Sequence, residues 1–452
     1  MTRFRDIVDS PCGIRYCLDT LELQSGFARR RLLDSAMMTD RESITRTYSR
    51  MRDYVSLVDN RKMLVQNVQF KLQGLRDISG TLDSLAQGNV LDDIEFFEVK
   101  HLAMLADEIH RLLESSLCID WTSPDLERVI EILDPDGLRI GTFYIYDSYS
   151  MELRNLRRAV EADPDDEQLK DELCNEEDRI KGQLSEMLRP YAQELAGTLA
   201  ALAAIDLDIA KALQMRKEGL CIPAVGDRAV LKGMFNPEVR AALARCSRSF
   251  QPIDFDFAPG VPTTLIGANM GGKTVALKTL CLCQYLMQFG FAVPAAEAVL
   301  PVFDNVCFCI GDEQDQQKGL SSFAAEMLRI DRMISTVNGG GRVLALVDEP
   351  ARTTNPIEGQ ALVSSLLKLM GGCANLSLVL TTHYKVENAG KCWRVKGLVE
   401  GSKGMKMDYA LVETQSNEVP HEALNIAAEL GISRQWLALA GEMLANKDNN
   451  TL

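Results

Sequence analysis

The chain has 452 residues, of which 46% are hydrophobic, so it is long enough for two or three domains with apolar cores. Acidic residues outnumber basic ones by 64 to 49, which gives a net charge of −15. This balance argues against a protein whose main task is to grip a long duplex, because clustered Lys and Arg are needed to neutralise phosphates. Two candidates for a local basic face are Arg29-Arg30-Arg31 and the set Arg154, Arg157 and Arg158. The second set has helical spacing beside acidic residues, which favours a solvated ion-pair face.

No membrane or secretory segment is expected. No run approaches the roughly 20 apolar residues of a membrane span, and the first residues lack the apolar stretch of a secretory signal. The 12 cysteines are scattered without C-x-x-C pairs, so buried reduced thiols are expected and a metal site is not. These features predict a cytoplasmic protein.

The first half of the chain, residues 1–222, is predicted to be almost entirely helical. Within it, residues 151–214 form two helices that face each other across Asp163-Pro164-Asp165-Asp166, a turn signal. Pro190 should kink the second helix. The arm from the turn to the kink is about 22 residues, hence roughly 33 Å long at 1.5 Å per residue, and the other arm is about half that.

A phosphate-binding pattern opens the second half. The residues are Gly267-Ala268-Asn269-Met270-Gly271-Gly272-Lys273-Thr274, which match G-x-x-x-x-G-K-[ST]. A β-prone run, Thr264-Leu265-Ile266, precedes the pattern and a helical pattern follows it. A strand that leads through glycines into a helix aims backbone N–H groups and the positive helix end at phosphates. We therefore expect Lys273 to reach the β- and γ-phosphates of ATP and Thr274 to offer its hydroxyl to Mg²⁺.

Two later apolar runs end in polar residues. Residues 344–349 end in Asp348-Glu349, and residues 376–383 end in His383. Both runs read as buried parallel strands, whose carboxyl ends meet at one sheet edge. We expect Asp348 to support the magnesium ion, Glu349 to polarise the attacking water and His383 to sense the γ-phosphate. The alternative for His383 is a satisfied histidine at a strand end.

These elements predict an α/β P-loop ATPase domain preceded by an all-α domain. The α/β domain covers residues 223–420 and is joined to the helical half through Pro223-Ala224-Val225-Gly226. Edge strands are expected around Gly397 and Tyr409. Helices in residues 421–452 are expected to contribute a dimer contact.

The second half of the chain resembles the MutS family of ATPases, most strongly over residues 250–384. Asn269-Met270 within the glycine loop is typical of that family, and residues 319–327 look like its G-x-S-T-F-x-x-E-M block. Other stretches resemble the short bacterial MutS paralogue that is associated with recombination suppression and ribosome rescue. They are residues 272–279, 300–304, 310–314, 356–359 and 381–384.

The resemblance implies an ABC-type ATPase site that holds ATP and Mg²⁺. By position, it implies that Lys273 and Thr274 bind phosphate and magnesium, that Asp348 supports the metal, that Glu349 is the catalytic base and that His383 is the switch. It also gives the helical half the role of a core and lever, in which residues 151–214 form a short clamp hairpin that reports the ATP state at a distance. The alternative is an ordinary helical hairpin in a bundle.

Two further residues take a role only through the resemblance. The serine that matches Ser321 contacts the γ-phosphate held by the other subunit, which implies composite sites and at least a dimer, either of one chain or with a MutS-like paralogue. Without the resemblance, Ser321 is a good helix N-cap. Phe250 matches an aromatic residue that stacks on adenine, and the alternative is a core phenylalanine.

The chain departs from the family pattern in two loops. Ala268 replaces the usual proline of the glycine loop. Residues 350–355 replace a glycine-richer stretch, and Pro350 fixes φ and removes a donor directly after Glu349. We expect a stiffer loop there, which affects turnover and leaves nucleotide binding intact.

Several functions stay open at this stage. From the resemblance we expect neither the mismatch-reading domain that precedes the lever in full-length MutS nor the nuclease domain of the shorter paralogue. Two short unequal arms are also expected to make a poor ring around a duplex. One candidate is a DNA-structure sensor or repair-type clamp without mismatch specificity. Another is an ATP-driven device for a protein client, since truncated MutS-like proteins are linked to reactivation of adenosylcobalamin-dependent aminomutases. An inert structural relative is disfavoured because the catalytic set is complete.

Overall fold

The computed structural model describes residues 2–114, 126–267, 271–310, 322–386, 390–401, 404–415, 427 and 432–448. Helices fill the part of the chain before the first strand. They are α1 (Phe4–Ile7), α2 (Ile14–Asp19), α3 (Gly26–Asp34), α4 (Arg41–Asn60), α5 (Lys62–Leu72), α6 (Ser79–Ala86), α7 (Asp93–Glu114), α8 (Glu127–Leu133), α9 (Met151–Ala162), α10 (Glu167–Leu188) and α11 (Ala192–Glu218). None of the described helices is long and apolar enough to cross a membrane.

Helix α11 is the centre of this helical half. It packs against α3, α4, α6 and α7, and most of its side chains are buried. Side-chain caps define the starts of several of its neighbours: Ser25 accepts a hydrogen bond from the Ala28 N–H, and Asp40 accepts one from the Ser43 N–H. Such caps satisfy backbone donors that the first turn of a helix leaves free.

The predicted hairpin is present with unequal arms. Helix α9 has 12 residues and α10 has 22, and Asp166 caps the start of α10 with its carboxylate. Helix α10 ends at Leu188, a single 3₁₀ turn spans Arg189–Tyr191, and α11 follows directly. The kink predicted at Pro190 is present as this 3₁₀ turn between two helices, because proline cannot donate the N–H that a continuous helix needs.

The described residues of the second half form ten strands and five further helices. The strands are β1 (Ala224–Val225), β2 (Ala229–Met234), β3 (Ile253–Phe257), β4 (Thr263–Ile266), β5 (Glu297–Leu300), β6 (Asn305–Cys309), β7 (Val343–Val347), β8 (Leu376–Thr382), β9 (Lys391–Gly401) and β10 (Gly404–Glu413). The helices are α12 (Pro237–Arg245), α13 (Lys273–Gln288), α14 (Ser322–Asn338), α15 (Pro356–Met370) and α16 (Arg434–Asp448).

The strands form two sheets. The larger sheet has the order β10-β9-β4-β8-β7-β6, and every pair in it is parallel except β9 with β10. Strands β7 and β8 are buried along their whole length, as their largely apolar sequences predict. The smaller sheet has the order β1-β5-β2-β3. The parallel order confirms the predicted α/β class for this part of the chain.

One strand prediction needs correction. The sequence suggested edge strands around both Gly397 and Tyr409, but of these two strands only β10 lies at an edge of the sheet, whereas β9 lies inside it. Strand β9 pairs with β4 from Thr263↔Lys391 to Ile266↔Arg394. The pairing with the strand before the glycine loop is a long-range contact, which local sequence does not encode.

Candidate functional site

The glycine loop leads from β4 into α13. Gly272 has φ +79°, a left-handed conformation that favours glycine, and α13 begins at the next residue, Lys273. The Lys273 side chain is buried, and its Nζ donates to the Gly267 carbonyl at 2.8 Å. Residues 268–270 of the predicted phosphate loop lie outside the described residues. The described part already places a buried ammonium at a helix N-terminus, where anions bind favourably.

A hydroxyl and a carboxylate meet where the predicted metal ligands lie. Thr274 Oγ1 donates to Asp348 Oδ2 at 2.8 Å, and Thr381 Oγ1 donates to Asp348 Oδ1 at 2.7 Å. Asp348 and Thr381 are buried at the carboxyl ends of β7 and β8. Oxygen donors of this kind suit Mg²⁺, which takes only one or two protein ligands and keeps the rest of its shell for phosphate and water. Thr274 and Asp348 are thus able to hold that ion.

Glu349 lies next to the phosphate-loop lysine. Its Oε1 is 3.2 Å from Lys273 Nζ and its Oε2 is 3.5 Å from Arg352 Nη1. The Glu349 backbone has φ +44°, which is uncommon for a residue with a side chain. Its N–H donates to Thr381 Oγ1 at 2.9 Å. Strained conformations of this kind persist where the surroundings fix them, and they cluster at functional sites.

The loop after Glu349 is fixed at Ala351, which also has a left-handed φ of +61°. The Ala351 N–H donates to Glu326 Oε1 at 3.2 Å, and the Tyr384 hydroxyl donates to the Ala351 carbonyl at 2.9 Å. The Tyr384 side chain passes close to Gly359 on its way to that carbonyl. A Cβ atom at position 359 would lie only 2.3 Å from the Tyr384 hydroxyl oxygen. Burial raises the pKa of the Glu326 carboxyl. These contacts hold the loop from α14 and from the segment that follows β8.

His383 follows β8 directly and is partly buried. Burial lowers the pKa of its imidazole, the nearby cations Lys273 and Arg352 lower it further, and Glu349 opposes them. The ring is therefore neutral at pH 7, since the ordinary pKa of histidine is about 6.5. A neutral imidazole can donate one hydrogen bond to a phosphate oxygen without adding charge.

A cavity of about 630 Å³ adjoins the glycine loop. Phe250 and Tyr409 line it together with Gly271 and Gly272, and most of the other lining is aliphatic. A Cβ on Gly272 would lie 3.3 Å from Tyr409 Cδ1, so the tyrosine ring rests on the start of α13. The cavity is large enough for a planar base, and its rings are of the kind that stack on one.

The structure brings together most of the site residues that the sequence predicted. Gly267, Gly271, Gly272, Lys273, Thr274, Asp348, Glu349 and His383 lie around one edge of the larger sheet, and Phe250 lines the adjoining cavity. Ser321 and residues 268–270 lie outside the described residues. Sequence reasoning missed Thr381, Arg352 and Tyr409. The signal for Thr381 was its hydroxyl at the end of an apolar strand, whereas nothing local marked the other two.

Together, the parallel sheet, the glycine loop and the acid pair define a P-loop nucleotide-binding domain. Residues 263–417 match the family model of MutS domain V. The second half of the chain thus carries a MutS-family ATPase domain.

Curated relatives agree with this assignment. Endonuclease MutS2 of Streptococcus gordonii is 33% identical over 210 residues, which are 46% of this chain and 26% of the relative. The Thermus thermophilus protein of the same name is 31% identical over 284 residues, or 62% of this chain and 35% of the relative. That of Geobacillus kaustophilus is 37% identical over 192 residues, or 42% and 24%. The matched segments thus span about a quarter to a third of these relatives.

Proposed function

We propose that this protein binds ATP with Mg²⁺ and hydrolyses it, with Glu349 as the general base. The observation that carries the proposal is a pair of neighbouring contacts at one sheet edge: Thr274 with Asp348 at 2.8 Å, and Lys273 with Glu349 at 3.2 Å. The first contact joins the two proposed metal ligands. The second joins the phosphate-binding cation to the proposed base. Mg²⁺, when bound, supplies positive charge to the β- and γ-phosphate oxygens.

The ion pair between Lys273 and Glu349 suggests how binding prepares the chemistry. A phosphate oxygen replaces Glu349 as the partner of Lys273, which frees the carboxylate to orient and deprotonate water. Thr381 keeps Asp348 and the Glu349 backbone in place during this exchange. His383 donates to the γ-phosphate as a neutral imidazole. Phe250 and Tyr409 hold the adenine base in the adjoining cavity.

We further propose that the active form is a dimer, either of two identical chains or with a MutS-like paralogue. Ser321 of each chain then completes the site of the other, as the resemblance to the family implies. Residues 421–452 contribute to the contact. Support comes from α16, where Trp436, Leu439 and Met443 are exposed at helical spacing and form an apolar stripe in the single chain.

The test of hydrolysis is the change of Glu349 to Gln. This change keeps the size of the side chain but removes the base, so turnover should fall by about 10²–10⁴-fold. ATP affinity should survive, because Lys273 loses a competing partner and keeps its phosphate contacts. Glu358→Gln is a matched control, since Glu358 is an exposed acid at the start of α15. Unchanged hydrolysis in Glu349→Gln would remove Glu349 from the mechanism.

One observation favours a protein over DNA as the molecule on which the ATP-driven motion acts. The tip of the hairpin is strongly acidic, and Lys170 is the sole basic residue in positions 161–172. The exposed acids of the tip are Glu161, Asp163, Asp165, Glu167, Asp171 and Glu172. A tip of this charge repels phosphates and attracts a basic surface. We therefore propose that the protein remodels or reactivates a protein partner, as aminomutase reactivases do. A DNA clamp without mismatch specificity is the second candidate.

We also propose the domain division that the sequence predicts. A helical core and lever covers residues 1–222, the ATPase domain covers residues 223–420, and the dimer contact covers residues 421–452. The unpaired thiols of the described cysteines suit a reducing compartment, which supports a cytoplasmic location.

A further inference from the structure

A β-bulge in strand β10 forms one wall of the cavity that adjoins the glycine loop. Strands β9 and β10 pair in register up to Asp408↔Gly397 and resume at Leu411↔Val395. Tyr409 and Ala410 therefore share a single opposite residue, Lys396. A bulge of this kind bends the strand and redirects its side chains. Here it places the Tyr409 ring against Gly272 at the start of the phosphate helix.

A side-chain clasp holds the bulge to the opposite wall of the cavity. Gln251, which follows Phe250 in the chain, donates from Nε2 to Asp408 Oδ1 at 2.7 Å. Its Oε1 accepts a hydrogen bond from the Tyr409 N–H at 3.1 Å. The amide orientation is fixed by chemistry, because a carboxylate can only accept and an N–H can only donate.

Asp408 completes the clasp. Its Oδ1 also accepts from the Ala410 N–H at 3.0 Å, and its Oδ2 lies 2.8 Å from Lys396 Nζ. Hydrogen bonds from Lys396, Gln251 and the Ala410 N–H lower the pKa of Asp408 to about 2, so the carboxylate stays ionised at neutral pH. Both N–H groups of the bulge thus find side-chain acceptors. Gln251 has both ends of its amide engaged by protein atoms.

We propose that Gln251 and Asp408 are positioning residues that set the distance between the Phe250 and Tyr409 rings, and thereby the affinity for the nucleotide base. The inference rests on the proposed function, since it takes the cavity to be the base site. Gln251 acts through Tyr409, because its side chain connects the segment that carries Phe250 to the bulge that carries Tyr409. The clasp leaves the phosphate contacts of Lys273 and Thr274 untouched.

The experiment compares two ligands that differ in the base. Calorimetry with MgATP and with inorganic triphosphate plus Mg²⁺ is run on the wild-type full chain and on Gln251→Leu. We expect the wild type to bind MgATP more tightly than triphosphate. In Gln251→Leu, MgATP affinity should fall about tenfold, equivalent to about 1.4 kcal/mol, while triphosphate affinity stays the same. In steady-state hydrolysis, KM should rise and kcat should hold.

Further variants separate positioning from general damage. Gln360→Leu is the matched control, because Gln360 is exposed and donates only to the Lys385 carbonyl at 2.7 Å among its described contacts. Asp408→Asn keeps an acceptor oxygen, so it should weaken MgATP binding less than Asp408→Ala. In a double-mutant cycle, Gln251→Leu should cost little more once Tyr409→Ala has removed the ring, because the clasp then has no ring to place.

The outcomes are distinct. The positioning role would be overturned if Gln251→Leu lost MgATP and triphosphate affinity equally, or lost neither. It would also be overturned if the effects of Gln251→Leu and Tyr409→Ala were additive. A wild type that binds triphosphate as tightly as MgATP would overturn the base site and leave the phosphate site standing. A wild type that binds neither ligand would overturn the proposed ATPase function as well.

Discussion

At the scale of single residues, Thr381 connects the two acids of the site. Its hydroxyl donates to Asp348 at 2.7 Å and accepts from the Glu349 N–H at 2.9 Å. It thereby fixes one carboxylate directly and the other through the backbone. The left-handed conformation of Glu349 costs about 1–3 kcal/mol, and the Thr381 contact is one of the interactions that hold it.

Replacement of Thr381 by Val should lower turnover about 10–100-fold. The change keeps the shape of the side chain but leaves a buried N–H and a carboxylate oxygen without their partner, a loss of about 1–3 kcal/mol. Steady-state hydrolysis measures the effect, and Thr381→Ser, which keeps the hydroxyl, should retain most of the activity. If Thr381→Ser is as slow as Thr381→Val, packing of the methyl group matters and the hydroxyl does not.

At the scale of elements, the phosphate helix α13 is joined at its far end to the helical half. The Tyr48 hydroxyl of α4 lies 3.1 Å from the Met287 carbonyl and 2.9 Å from that of Phe291. Lys211 of α11 donates to the Phe289 carbonyl at 2.9 Å, and burial lowers the pKa of Lys211 to about 8. These contacts join the end of α13 to α4 and α11, and one 3₁₀ turn connects α11 to α10 of the hairpin.

We expect Tyr48→Phe to destabilise the fold by about 1–3 kcal/mol. The change removes the buried donor that two carbonyls share, and it leaves the ring in place. Urea unfolding compares this variant with Tyr54→Phe, the same change one and a half turns further along α4, where the hydroxyl lies near Asp208. A Tyr48→Phe variant as stable as the wild type would mean that the Tyr48 hydrogen bonds contribute nothing to the contact between α4 and α13.

At the scale of the whole molecule, charge is distributed in a way that bears on the partner. One arginine of each basic set suggested by the sequence forms ion pairs: Arg157 pairs with Asp147 at 2.6 Å and with Glu177 at 2.8 Å, and Arg30 pairs with Asp77 at 2.6 Å. The two Arg157 ion pairs connect α9 with α10 and with the 3₁₀ turn Asp147–Tyr149 that precedes α9. The acidic tip beyond them is exposed. The hairpin therefore presents negative charge at its end.

The protein should not discriminate a mismatched duplex from a matched one. A competition titration at about 150 mM salt, with and without ATP, compares matched, mismatched and branched duplexes. A preference for the mismatch of tenfold or more, about 1.4 kcal/mol, would contradict this expectation and support a repair clamp. A preference for branched DNA alone would indicate a recombination role. Absence of binding to all three agrees with a protein client.

The candidate residues of the nucleotide site could be named from local sequence patterns. A glycine loop, two apolar strands and their polar ends are local patterns, because backbone conformation and burial leave a periodic mark within a few residues. The unequal hairpin arms and the break at Pro190 were equally local. These signals were enough to name Lys273, Thr274, Asp348, Glu349 and His383 and to place them at one sheet edge.

Tertiary structure alone decided which residues support that site. Thr381, Tyr409 and the Gln251–Asp408 clasp act through partners far away in the chain, such as the 157 positions that separate Gln251 from Asp408. The pairing of β9 with β4 is of the same kind. Contacts of this length depend on how the strands assemble, and no local pattern records them. The sequence thus specifies the reacting groups, and the fold specifies what holds them in position.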